Sequence, residues 1–387
     1  MTRIPVRASD VEIGEPLPWP VYDDRGVMLL RAGHVVRSSL QLRRMIDRGA
    51  WHDPPEEMPE AGGKLARRGG GQREREPFTR LGILIPRIRR LHHSLYKEAD
   101  GSEKELLAIA QRLIDLVRDD RDAMVAGINL IRDFEYSARH AAFTGLLCAI
   151  MADELQFTWR QMEGVVVAAL AQNVGYYEEQ DRFATSVGVL DQEARVKLRA
   201  HPNTSAEKVL TIGIDDPFIL MAIRQHHERF DGKGYPAELS GEQISVGARV
   251  LTLADHFVAM TSPRSYRKGL HPVLGLRQIF LLSGRVGDPE FTHAFVHALG
   301  VYPPGASVHL ESGEQGMVVR RRDDSAQPLV AIVKNAHDMG RQKTERFLQV
   351  VECSERDSRV VGPAPSMVAG FQDLEYLWRE NPPGPIR

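Results

Sequence analysis

Two adjacent histidines, His226 and His227, open the stretch of the chain richest in chemically competent side chains. They lead into a loop, Asp231-Gly232-Lys233-Gly234-Tyr235-Pro236, where the glycines permit backbone angles other residues avoid and Pro236 fixes its own. An apolar run from Val246 to Met260 follows, interrupted by Asp255. A carboxylate in such a run is costly to bury unless something pairs with it. A metal ion shared with His226 and His227 would do so.

The order of residues here resembles the signature of the HD-GYP family, bacterial phosphodiesterases that cleave cyclic di-GMP. The resemblance rests on His226, His227, Glu228, Asp231, Gly232, Gly234, Tyr235, Pro236, Arg249, Ala254, Asp255, Thr261, Ser262, Arg264, Tyr266, Arg267 and Lys268. It implies a helical domain in which histidines and carboxylates gather two metal ions and turn a shared water into hydroxide. Carried across residue by residue, it implies metal ligands at His140, His201 (followed by Pro202), His226, His227 and Asp255. Imidazole and carboxylate ligands suit Fe, Mn, Zn, Co or Ni alike.

The dipeptide that names the family is absent. Where the family has HDIGK, the chain reads Gln172-Asn173-Val174-Gly175-Tyr176. Gln172 then stands for an imidazole ligand, Asn173 for the carboxylate that bridges the ions, and Tyr176 for a lysine that assists at phosphate. Amides are neutral and bind through one oxygen, so a site built for two divalent ions loses negative charge. Tyr136 holds the position of an acidic ligand found in three-metal members, and Val258 that of a frequent aspartate. The resemblance thus implies one ion rather than two or three, or none. His201, His226 and His227 remain at one position, and His140 and Asp255 at the other. On the substrate side it implies contacts from Lys233, Gly234, Tyr235, Pro236, Arg264 and Arg267, the guanidinium forks suiting phosphate. His34, His92 and His93 fall outside any matched position and are expected at the surface. His256 is expected to face away from the site, and the Tyr176-Tyr177 pair to serve packing, with stacking on guanine the alternative because it replaces site residues.

The elements that must carry these groups follow from the pattern. From Phe78 to about Gly300 the chain reads as helical, including a stripe Leu106, Ile109, Leu113, Val117 behind an apparent capping box, Ser102 to Glu105. A second helix carries His140, and a third runs from Thr158 to Asn173, its Val and Ala content marking it as buried on most sides. The fold class expected is mainly α: an HD-type helical bundle over 78–300, with a small α+β module at 1–51 and a β-rich appendage at 301–352. In the module, Val21-Tyr22 and Val27 to Leu30 flank a hairpin signal, Asp23 to Gly26, before a short helix, Leu40 to Arg48. Residues 52–77 hold Pro54, Pro55, Pro59 and a Gly69-Gly70-Gly71 run and read as a disordered linker. The appendage is expected from the runs Ser307 to Leu310, Gly316 to Val319 and Leu329 to Val333, parted by the turn signals Glu311 to Glu314 and Asp323 to Ser325. Residues 353–387, rich in proline, read as a loose tail.

Composition excludes more than it proposes. A formal net charge of −2 over 387 residues argues against bulk nucleic-acid binding. The 2 cysteines, Cys148 and Cys353, make no disulfide framework or zinc finger. No segment is apolar and long enough to span a bilayer, and the N-terminus lacks a signal-peptide core. A cytoplasmic protein is expected. Two functional readings remain: a cyclic di-GMP receptor or regulatory scaffold with little or no hydrolysis, meeting a signalling partner through the GYP loop, or a metal-dependent phosphodiesterase working with the remaining ligands.

Overall fold

The computed structural model describes residues 77–185, 191–265, 267–322, 328–334, 346–353, 359–365 and 374–378, with short N-terminal pieces at 4–6, 11, 17, 21–22, 28–30 and 51–52. The chain divides into two units, Met1–Gly70 and Gly71–Arg387.

In the first unit, β1 (Ile4–Pro5), β2 (Val21–Tyr22), β3 (Met28–Leu30) and β4 (Trp51–His52) form an antiparallel sheet in the order β1-β4-β2-β3. Val21 pairs with Leu30 and Tyr22 with Met28, the pairing expected of a hairpin. Its turn (Asp23 to Gly26), the expected helix Leu40 to Arg48, His34 and the linker from residue 53 to 76 lie outside the described residues. His52, assigned to that linker by sequence, belongs to β4, where it pairs with Ile4.

The second unit is a helical body followed by a sheet. Its helices are α1 (Pro77–Tyr96), α2 (Ser102–Asp119), α3 (Arg121–Leu130), α4 (Tyr136–Glu154), α5 (Trp159–Ala171), α6 (Tyr177–Thr185), α7 (Gln192–Thr211), α8 (Pro217–Gln225), α9 (Val246–Thr261), α10 (Pro272–Leu281) and α11 (Pro289–Leu299). At the centre stands α4, buried at every position from Tyr136 to Ala152. A helix apolar all round has no solvent face to present, and here α2, α5 and α9 pack around it. α1 buries Phe78, Leu81, Ile85, Ile88, Leu91 and Leu95 at intervals of three and four, the stripe of a helix lying on the body.

One expectation about a helix end needs correction. Ser102 to Glu105 makes no capping box: Gly101 occupies the N-cap in the left-handed region at φ 82°, and the Ser102 hydroxyl donates to the Ala99 carbonyl at 2.6 Å. A capping box does occur at Thr158 and Gln161, at the head of α5. In a box the N-cap residue must lie outside the helix, and Ser102 is already helical.

The C-terminal sheet joins β5 (Ser307–Leu310), β6 (Gln315–Arg320), β7 (Leu329–Lys334), β8 (Arg346–Glu352) and β9 (Val360–Pro363), all pairs antiparallel, in the order β8-β7-β6-β5-β9. The sequence reading assigned Val360–Pro363 to a loose tail; they pair instead with β5. Further along, Leu374, Leu377 and Trp378 are buried. The Trp378 indole donates to the Val319 carbonyl at 2.9 Å and its ring lies 5.1 Å from that of Phe78. Met317, Val319 and Ala331 share one apolar cluster with the helices, and Arg320 and Arg321 pair with Asp120 and Asp122 at the start of α3. The sheet is thereby sealed onto the bundle.

Among the described residues, no helix is long and apolar enough to cross a membrane.

Candidate metal and nucleotide site

His201 lies within α7, immediately before Pro202. Proline has no N–H, so the Leu198 carbonyl, four residues back, loses its helical donor. The His201 ring fills that gap, Nδ1 donating to Leu198 O at 2.5 Å. His226 achieves the same at the end of α8, where the last four carbonyls lack helical partners. Its Nδ1 donates to Ile223 O at 2.7 Å. Both protons therefore sit on Nδ1, and both Nε2 atoms carry lone pairs. Those two Nε2 atoms face each other at 3.2 Å. Lone pair against lone pair is repulsive unless a cation lies between. Two imidazoles on one tetrahedral ion at ~2.05 Å would stand about 3.3 Å apart.

His227 completes the cluster. The ligand atoms of His201, His226 and His227 all lie within 4.8 Å of one another. Burial drives the pKa of each downward, to about 3 for His201, with charge repulsion from His226 adding to it. The same cause acts on His226 and, more strongly, on His227. All three are neutral near pH 7, the form a metal requires. The residues fit a three-histidine ion site.

The second half of the expected set is arranged differently. His140, on α4, donates from Nε2 to Asp255 Oδ1 on α9 at 2.8 Å. Gln172, which caps the C-terminus of α5, donates from Nε2 to the same oxygen at 3.2 Å. Burial alone would raise the Asp255 carboxyl; the His140 hydrogen bond, aided by the electrostatic influence of His140 and the other surrounding histidines, outweighs it and holds the group ionised. His140 Nδ1 and Gln172 Oε1 are buried with no hydrogen-bond partner. Asn173 is half-buried and opens the short 3-10 turn Val174–Tyr176. Tyr176 packs as expected, its ring lying 5.7 Å from that of His201. Tyr177 is a packing residue, bonded to Glu178 and His93.

The loop after His227 is held by backbone contacts. Tyr235 N donates to His227 O at 3.1 Å, and the two rings stack at 4.7 Å. At Gly234 a Cβ would fall 2.4 Å from Arg229 N and 2.6 Å from His227 O, so no side chain fits there. The buried Glu228 carboxylate accepts from Ala237 N at 2.7 Å and Leu239 N at 3.0 Å, closing the loop from below. Tyr235-Pro236 is a cis peptide. Lys233 and Pro236 are exposed.

Arg264 and Arg267 face each other across a tight turn, each backbone N–H bonded to the other's carbonyl. The Arg264 guanidinium donates to the Tyr136 hydroxyl at 2.8 Å and lies over the same ring at 4.9 Å. Tyr136 in turn stacks on His140 at 5.4 Å. Arg267 donates to the Ala259 carbonyl in the last turn of α9 at 2.6 Å. Tyr266 lies outside the described residues.

Three roles escaped sequence reasoning: the freeing of Leu198 O by Pro202, the Glu228 anchor and the Tyr136 contact. The first was legible as His-Pro within a helical pattern; the other two needed distances. One expectation is overturned. His92 is 1% exposed, not a surface residue; it bonds the Leu170 carbonyl at 2.9 Å, whereas His93 is exposed as expected.

The chain is similar to several known proteins. A family profile described as an HD domain matches residues 101–286. The chain is 28% identical over 310 residues to a cyclic di-GMP phosphodiesterase of Pseudomonas aeruginosa, covering 78% of this chain and 74% of that protein. It is 29% identical over 231 residues to a cyclic di-GMP phosphodiesterase response regulator of Xanthomonas campestris, covering 58% of this chain and 59% of that one. An HDG"Y"P protein of Bdellovibrio bacteriovorus shares the fold at a TM-score of 0.50 and 16% identity, over 77% of this chain and 99% of that one. The helical fold, the histidine cluster with its following loop, and these matches together support the HD-GYP family for this chain, which carries an HD domain and is similar to cyclic di-GMP phosphodiesterases.

Proposed function

We propose that the chain acts in cyclic di-GMP signalling as a cytoplasmic receptor or regulatory scaffold, binding the dinucleotide over a single transition ion and hydrolysing it slowly or not at all. The observation that carries this reading is the double occupation of Asp255 Oδ1 by His140 and Gln172. HD-domain phosphodiesterases are metal-dependent, and a bound ion would polarise a phosphodiester oxygen and acidify water. His201, His226 and His227 are the residues to hold it. At the neighbouring position, Gln172 ties up the carboxylate as a donor and brings no negative charge, and Asn173 offers no bridging carboxylate. What the remaining side chains do is bind and orient: the loop from Lys233 to Pro236 and the pair Arg264 and Arg267 receive the nucleotide. The exposed Lys233, Pro236, Ala237 and Glu238 present the loop to a partner protein.

A second reading is favoured by the three neutral imidazoles, which leave a fourth coordination position open, as in catalytic zinc sites. On that reading the chain is a one-metal phosphodiesterase. One experiment separates the two. Purified protein is loaded with Mn or Fe(II), its metal content is measured, and cyclic di-GMP binding and product formation are followed together, with His201→Ala beside it. Binding without product supports the receptor. Product that vanishes in His201→Ala supports the enzyme, and absence of both binding and product leaves the scaffold alone.

A further inference from the structure

Helix α4 carries Tyr136 and His140, yet its first turn is not capped from its own end: Glu135 stands at the N-cap, and its side chain makes no capping bond. The first N–H groups of a helix have no partner inside it, and a carboxylate placed there also meets the positive end of the helix dipole. Here that carboxylate comes from α6. Asp181 accepts from Ser137 N at 2.7 Å through one oxygen and from Ser137 Oγ at 2.9 Å through the other. The second oxygen also takes the Arg89 guanidinium of α1, at 2.6 Å. Ser137 is 1% exposed, so bulk water does not serve its N–H in place of Asp181. Three residues beyond Asp181 the same helix holds a second segment. Ala184 O accepts from Ser265 N at 3.0 Å, inside the turn that carries Arg264 and Arg267. Ser137 follows Tyr136 and Ser265 follows Arg264, and Tyr136 and Arg264 are the pair joined at 2.8 Å. One short helix thus holds the backbone beside both members of that pair.

Resting on the reading above, in which Arg264 receives a nucleotide phosphate, we propose that Asp181 is a positioning residue. Through α6 it sets the Arg264–Arg267 turn against the head of α4, and so aims the Arg264 guanidinium. A guanidinium binds phosphate through two parallel N–H bonds, an arrangement that depends on the placement of a planar fork. An arginine on a tight turn keeps such a placement only if the turn and the group it leans on are held together. Asp181 bonds no metal-ligand candidate and no nucleotide contact; it acts through the backbone next to them. A carboxylate is needed for this. Three donors converge on Asp181, and an amide offers one oxygen and turns its own N–H groups toward Ser137 or Arg89. The helix α6 begins at the residue after Tyr176, so the segment without His-Asp leads straight into the support of the phosphate side. Support for binding is therefore built apart from the metal ligands.

The test is calorimetric titration of the metal-loaded full chain with cyclic di-GMP, with metal content and circular dichroism melts as controls. Asp181→Asn raises Kd about 2–30-fold, the range for residues that act without touching the ligand, and leaves metal content unchanged. Arg89→Gln, which keeps Asp181 on Ser137, lowers the melting temperature and binds like the parent. In an Arg264→Lys background, where a point charge on a flexible stem replaces the oriented fork, Asp181→Asn changes Kd no further. If the parent binds and Asp181→Asn binds equally well, the positioning role fails and the proposed function stands. The role also fails if Arg89→Gln weakens binding as much, or if the Asp181→Asn effect persists in full in Arg264→Lys, because α6 then acts by general loosening. Should the parent bind no cyclic di-GMP, the receptor reading falls and the phosphate role falls with it. Amide hydrogen exchange then decides the clamp by itself: faster exchange at both Ser137 and Ser265 in Asp181→Asn keeps it, and unchanged exchange removes it.

Discussion

Gln172 donates its side-chain amide to Asp255 across 3.2 Å, at the one carboxylate oxygen that His140 already holds at 2.8 Å. A glutamine there is both a missing ligand and a competing donor. Replacing Gln172→His together with Asn173→Asp removes the donor and adds an imidazole and a carboxylate. Metal content measured by mass spectrometry should rise from about one ion per chain toward two, the spacing of a two-ion site. A double variant that stays at one ion would show that closure of the second position does not depend on Gln172.

Pro202→Ala should separate stability from metal affinity. Alanine is favoured over proline in a helix interior by about 3 kcal/mol, and its N–H can return to Leu198 O. The metal-free protein then becomes more stable. His201 loses the acceptor that fixes its proton on Nδ1. Loss of such an orienting partner weakens metal binding about 10–100-fold. Melts with and without chelator, plus a competition titration, would show the two effects with opposite signs; unchanged affinity would mean that His201 is oriented by packing alone.

Glu228→Gln should loosen the loop without touching the histidines. The carboxylate accepts two backbone N–H groups, whereas an amide can offer oxygen to only one and turns donors toward the other. An unsatisfied buried donor costs about 1–3 kcal/mol. Urea unfolding should report that loss, and limited proteolysis should cut between Asp231 and Ser240 faster than in the parent. Equal cleavage rates would remove Glu228 as the loop's anchor.

Tyr136→Phe keeps the ring that stacks on His140 and removes the hydroxyl that holds Arg264. A hydrogen bond to a charged group contributes about 1.5–3 kcal/mol. Cyclic di-GMP affinity should fall with metal content unchanged. A fall in metal content instead would assign Tyr136 to the His140–Asp255 pair.

Acid should destabilise the metal-free chain well above the carboxylate range. Burial lowers His92 from 6.5 to about 4, and His201 to about 3. Between pH 6.5 and 4 the unfolded chain binds a proton on each that the folded chain does not. Stability is therefore greatest above pH 6.5 and falls as pH drops through that window, by about 1.4 kcal/mol per unit per group. Asp255, held ionised when folded, acts in the same direction at lower pH. Urea midpoints at pH 7 and 5 in the presence of chelator measure the slope, and equal midpoints would contradict it.

Much of the helical body could be read directly. Where the code is local, as in the period of α2 or the β-prone runs that became β5 to β7, sequence and structure coincide. Ser102 was misread because a capping box is a relation between one residue outside a helix and one inside it, and the boundary fell at Gly101. Val360–Pro363 and Trp378 were missed because a proline-rich surrounding hides residues ordered by distant partners, Leu310 and Val319 among them. His92 was misread because its Leu170 partner lies 78 positions away.

The site divides along the same line. By itself the sequence determined which groups are available: the five ligand-type residues, the loop that only glycine can pass, and the absence of a His-Asp pair at Gln172 and Asn173. Residue type sets proton affinity, charge and allowed backbone angles without reference to the rest of the chain. Tertiary structure decided which groups meet. It turned two Nε2 atoms toward each other at 3.2 Å, gave one Asp255 oxygen to two donors, and laid the Arg264 guanidinium over the Tyr136 ring. Those relations join helices that are remote along the chain, and only their packing brings the side chains within reach.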